Sequence, residues 1–156
     1  LDTTIDSQAN GLWIAALAQT ALELHREDER LAAERSARTL GSRAETNSPG
    51  MALGLATLSA TNPTPEWTEA AGRAFDAALS RPGARTAQDQ AILAVAVSLL
   101  PDSPSAALRN RQRQRLLAEL RTRFPGSDEL AAAECAATVS PSPSPAPAAD
   151  SRRDLR

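Results

Sequence analysis

A chain of 156 residues with a net charge of −2 suits one domain with a modest core, and it excludes a protein that coats nucleic acid over its whole surface. Two Trp, two Phe and no Tyr leave Ala and Leu to supply most of the buried surface, and these are the strongest helix formers. The single cysteine, Cys135, excludes an internal disulfide and a cysteine-based zinc cluster, and no apolar run nears the ~20 residues needed to cross a bilayer.

Seven helical segments follow in chain order. The first spans 7–24, capped by Asp6 or Ser7, with Trp13, Leu17, Ala21 and Leu24 recurring at three- and four-residue steps. The stretch His25–Arg30 contains no strong breaker, and a hairpin turn is favoured there over one continuous helix. The second helix covers 28–40, with Ala33, Ala37 and Leu40 as a narrow apolar stripe and Gly41 as its stop. Residues 41–49 read as a loop. A short third helix over 49–60 places Met51, Leu55 and Leu58 on one face. Asn62-Pro63-Thr64-Pro65 then breaks the chain, because neither proline can continue a helix.

Thr64 and Pro65 form a favoured cap and first position for helix four. Its stripe of Trp67, Ala71, Ala74, Phe75 and Ala78 is the cleanest in the chain. Pro82-Gly83 closes that helix, and Thr86 with Asp89 resembles a capping box opening helix five. Residues 91–100 are apolar on every side apart from Ser98. The Ala-Val alternation would also suit a strand, but the Ala content and the helical lead-in Ala-Gln-Asp-Gln favour a buried central helix. Pro101 ends it, and Ser103-Pro104 opens helix six, which runs to Phe124. Pro125-Gly126 stops helix six, and Ser127 caps a last helix ending near Thr138. From Val139 the Pro/Ser/Ala run reads as a disordered or polyproline-like tail, dividing the chain into a helical domain at 1–138 and a tail at 139–156.

The expected fold is therefore all-α: antiparallel helical hairpins stacked as a short α-solenoid or irregular bundle of six to seven helices. Two places carry a family resemblance. Ala71-x3-Phe75-x2-Ala78 followed by Pro82 resembles the second helix of a tetratricopeptide repeat. The run Leu117-x2-Leu120-x3-Phe124-Pro125-Gly126-Ser127-x2-Leu130 resembles the helix end and turn in repeats of bacterial envelope scaffolds. The match covers about 64–137, and Pro82 and Pro125 lie 43 residues apart, longer than the ~34 of a regular repeat. The resemblance implies repeat-like packing and protein binding.

Chemistry is sparse. His25 has no second histidine and no nearby cysteine, and is expected as a solvated surface residue; Cys135, among alanines, is expected as a buried filler. Glu27, Asp28, Glu29 and Glu34 alternate with Arg26, Arg30 and Arg38, the pattern of an exposed, charge-laced helix rather than a metal site. No Gly-rich phosphate loop, nucleophile elbow or HExxH pattern occurs, so neither catalysis nor a cofactor is expected.

Helix six stands out. Residues 108–124 hold six arginines against one glutamate, whereas 1–107 hold eight against thirteen acids. Local potential of this kind steers partners more than net charge does. At 100° per residue Arg109 and Arg113 lie together beside Leu117 and Leu120, while Arg111 and Arg115 point nearly opposite. This helix either packs beside the acidic segment 23–34, projects into water, or binds an acidic protein or other polyanion. No aromatic residue interleaves the arginines, so a base-stacking platform is missing.

The expected function is a protein-interaction or scaffold module, with Trp13 and Trp67 as partner-facing aromatics and an extracytoplasmic, envelope-associated setting favoured over the cytoplasm. The alternatives are a polyanion-binding module using Arg109, Arg111, Arg113 and Arg115, and a piece of a larger enzyme or secretion component. The first residue is Leu1 rather than Met, as a processed terminus or a chosen boundary would leave it.

Overall fold

The computed structural model describes residues 6–41, 47–100 and 106–138. Among them run seven helices and no strand: α1 Ser7–Leu24, α2 Glu27–Gly41, α3 Pro49–Thr61, α4 Pro65–Ser80, α5 Ala87–Leu99, α6 Ala106–Arg123 and α7 Asp128–Thr138. The expected tail at 139–156 and the expected opening of helix six at 101–105 lie outside the described residues, as do residues 42–46 of the expected loop.

Four helix starts, those of α1, α3, α4 and α5, are explained by their caps. The Asp6 carboxylate accepts from the Ala9 N–H at 3.0 Å, Ser48 Oγ from Met51 at 3.2 Å, and Thr64 Oγ1 from Trp67 at 3.4 Å. Thr86 and Asp89 form the reciprocal capping box, at 3.1 and 3.2 Å. α1 and α2 are separate, as favoured. His25 turns the chain in the left-handed region at φ 52°, ψ 41°, while the Arg26 N–H reaches back to the Ala21 carbonyl at 3.0 Å. An L-residue pays for that conformation with its Cβ, and glycine does not. His25→Gly should therefore raise stability by about 1 kcal/mol in thermal or urea unfolding.

The helices pack in two layers. α1, α3, α5 and α7 follow one another, α3 lying on α1 and α5, and α7 on α5; α2, α4 and α6 pair outside them with α1, α3 and α5 respectively. The inner helices α3 and α5 are apolar nearly all round because neighbours cover them on several sides. For α5 this matches expectation. α3 was expected to bury one face; instead everything from Pro49 to Ser59 except Leu53 is buried. Its small residues explain how. A side chain on Gly11 would overlap the Gly50 and Met51 backbone, one on Gly50 the Gln8 carbonyl, and one on Gly54 the Gly11 carbonyl. α1 and α3 thus cross almost backbone to backbone, and Gln8 Oε1 accepts from the Gly50 N–H at 2.7 Å. The core runs continuously from Ile14 through Met51, Leu58 and Phe75 to Leu93 and Leu120.

At Gly72 the situation is reversed. The nearest atom to an added Cβ is Arg109 Nη2 at 3.9 Å, an ordinary contact. Gly72→Ala should stabilise the protein by about 0.5–1 kcal/mol, read from the denaturation midpoint, since alanine fits and favours the helix.

Candidate interaction surfaces

Among the described residues no group of three or more His, Cys, Asp and Glu could hold a metal ion, and no helix is long and apolar enough to cross a membrane. His25 is exposed. Cys135 is exposed as well, correcting the expectation of a buried filler; the stripe of α7 that meets the core carries Ala133 instead.

The two tryptophans part company. Trp67 is only 3% exposed, inside the core of α4, with the Arg38 guanidinium 5.0 Å from its ring centroid. It lies on the same stripe as Ala71, Ala74 and Phe75, so burial of the stripe takes the indole with it, and the expected partner-facing role is corrected. Trp13 is 61% exposed and borders a cleft of about 310 Å³ with Asn10 on α1 and Arg35, Ser36, Thr39 and Leu40 on α2. Leu24 and Leu31, also exposed, lie on the same hairpin.

The charged helix α2 is only partly the solvated face its pattern implied. Glu34 is 7% exposed, against expectation. It pairs with Arg30, accepts from Arg38 Nη2 at 3.4 Å, and accepts from the Asn62 amide at the end of α3 at 2.9 Å. Arg38 continues to Glu66 on α4 at 3.2 Å. This chain of charges, with Trp67 beneath Arg38, closes the gap between α2 and α4, which make no close backbone contact among the described residues. At the exposed tip Arg26 holds Asp28 at 3.1 Å and Glu29 at 2.9 Å, and Arg30 holds Glu27. A hydrogen bond from the Glu29 carboxyl, then the Arg26 guanidinium, lowers Asp28 to about 2, and the same shared bond raises Glu29. Glu27 sits below its ordinary value, chiefly through its hydrogen bond from Arg30.

The arginines of α6 divide as their angular spacing implies. Arg109 and Arg113 are half-buried on the side of Leu116, Leu117 and Leu120. Arg109 reaches toward Gly72 of α4. Arg113 Nη2 donates to Asn110 at 3.1 Å, and its Nε is buried with no acceptor among the described residues. Arg111 is exposed, and Arg115 is 81% exposed with its Nε donating to Glu119 at 3.0 Å. α6 packs on α5 and α7 and, among the described residues, makes no backbone contact with α2, so packing beside segment 23–34 is excluded as the explanation of its charge.

Arg109 reaches across from α6 to α4 at Gly72, but toward Leu79 and Arg85 the gap between the two helices is open. It forms a cleft of about 170 Å³ lined by Leu79, Arg85, Gln112, Arg115, Leu116 and Glu119. Arg85 donates to the Leu79 carbonyl at the end of α4, and its Nε is buried without an acceptor among the described residues. Nothing in the sequence singled out Arg85, because it sits in the turn after Pro82-Gly83 and meets α6 only through the fold. No protein-family model, curated protein or solved structure matches this chain, so its functional reading rests on these surfaces.

Proposed function

We infer that the chain is a protein-binding scaffold module built from tetratricopeptide-like helical hairpins, acting by recognition rather than by catalysis. The carrying observation is the exposed Trp13 over the α1–α2 cleft. In a chain with four aromatic side chains, one left to water beside a polar-rimmed concavity is the kind of anchor that dominates protein interfaces. The α1–α2 hairpin ends the stack, so its outer side has no neighbour within the described residues. An extracytoplasmic envelope assembly is the setting proposed for it.

The test is a photo-crosslinking residue placed at position 13 in native cells, with Trp13→Ala as its counterpart. Trp13→Ala should leave stability within about 0.5 kcal/mol, because the indole is exposed, while at least tenfold less partner is recovered. Equal recovery by the variant sinks the reading.

The exposed Arg111 and Arg115 support polyanion binding as a second reading. Retention on heparin that falls steeply with salt and is lost in R111E/R115E is its expected signature.

A further inference from the structure

We propose that the protein assembles head to tail with copies of itself: the acidic tip of the α1–α2 hairpin of one copy seats in the open α4–α6 cleft of the next. This rests on the protein-binding reading and names the partner.

The cleft combines an apolar floor, Leu79 and Leu116, with a rim of Arg85, Arg115 and Glu119, the last paired with Arg115. The exposed Arg111, one turn before Arg115, leaves this face net cationic. Arg85 lines this cleft and is only partly buried, and a guanidinium in such a setting gains from a carboxylate. A complementary occupant carries carboxylates around a protruding apolar side chain. The tip of the α1–α2 hairpin is of that kind. Leu24 is 61% exposed there, and residues 23–30 hold Glu23, Glu27, Asp28 and Glu29 against Arg26 and Arg30. The internal pairs of Arg26 and Arg30 leave a net negative tip.

Within one chain tip and cleft do not meet. The tip belongs to the first hairpin of the stack, whereas α6 lies against α5 and α7 and makes no backbone contact with α1 or α2 among the described residues. The opposite potentials are thus separated along the solenoid, and only a second copy can bring them together. Two different patches meeting in this way make a heterologous contact, which propagates into an open chain or closes into a ring.

Sedimentation velocity and light scattering of the full chain test this, from about 0.05 to about 1 M salt, a range over which screening of exposed charge becomes severe. The expected result is concentration-dependent mass above the 16.4 kDa of one chain at low salt, returning to monomer at high salt. R111E/R115E in the cleft and E23R/E27R at the tip alter exposed side chains, and circular dichroism checks that both variants fold. Each alone should raise the dissociation constant for self-association by about 100-fold. Mixed together, the reversed cleft of one and the reversed tip of the other are again complementary, and assembly should return. Leu24→Ala should weaken assembly without changing its salt dependence.

A wild-type chain that stays monomeric at low salt, or a mixture that fails to assemble, overturns the proposal. Arg111- and Arg115-dependent heparin binding by such a monomer favours the polyanion reading instead. Because the assay uses purified protein alone, failure here with Trp13-dependent partner recovery intact leaves the scaffold reading standing.

Discussion

Gly11→Ala should destabilise the protein by about 3 kcal/mol or more, enough to leave much of the chain unfolded at 37 °C if its stability is ordinary for a domain of this size. On a free helix the same change stabilises by up to about 1 kcal/mol, because alanine restricts the unfolded chain and glycine is a poor helix former. The sign reverses here because the new methyl would meet the Gly50 carbonyl and Met51 amide nitrogen, which are backbone and cannot rotate away. α1 and α3 would have to separate. That would loosen the buried Ile14, Ala18 and Met51 and lengthen the Gln8 hydrogen bond that holds the start of α3. Urea denaturation of Gly11→Ala and Gly72→Ala side by side measures the contrast. Similar small effects at both positions would show that the α1–α3 crossing is looser than described.

Glu34→Ala should cost about 2–3 kcal/mol, toward the low end for a broken buried ion pair because Arg30 and Arg38 keep other partners. Arg30 retains Glu27 and Arg38 retains Glu66, so neither guanidinium is stranded. The Asn62 amide, however, loses its carboxylate acceptor, and the junction of α2 with the end of α3 loses its central anion. Glu34→Gln preserves shape and one acceptor and should cost less than the alanine variant. Chemical denaturation of the three proteins gives the ranking, and the more exposed Glu69→Ala, whose pair with Arg73 spans 3.5 Å on the surface of α4, should shift stability by less than about 0.5 kcal/mol. A Glu34→Ala variant as stable as Glu69→Ala would mean that the carboxylate is solvated after all.

The two glutamates show why patterns are unequal guides. Arg30-Glu34-Arg38 and Glu69-Arg73 read alike as i,i+4 pairs. Only the approach of Asn62 and Glu66, 28 residues beyond Glu34 and Arg38, buries the first and leaves the second wet. The tryptophans differ for a similar reason. Trp67 shares a stripe with alanines and Phe75, a pattern that announces burial, yet partner binding was expected of it. Trp13 recurs with Leu17, Ala21 and Leu24, and that stripe is wider than the face α1 presents to its neighbours, so its far side, Trp13 and Leu24, stays in water.

The sequence by itself determined the all-α class, the position of nearly every helix boundary and the division of the α6 arginines into two faces. These depend on local rules: prolines that cannot continue a helix, hydroxyl and carboxylate caps, and the fixed 100° step between residues. Tertiary structure alone decided which helices became the inner layer, that Gly11, Gly50 and Gly54 mark a backbone contact, that Glu34 is buried, and that α4 and α6 leave a basic cleft open. These depend on which distant segments come together, and charge or period along one helix carries no record of its neighbours. The signal for the glycine crossing was present as Gly50-x3-Gly54 in an otherwise apolar helix, but its partner Gly11 lies 39 residues before Gly50 and became visible only in the packing.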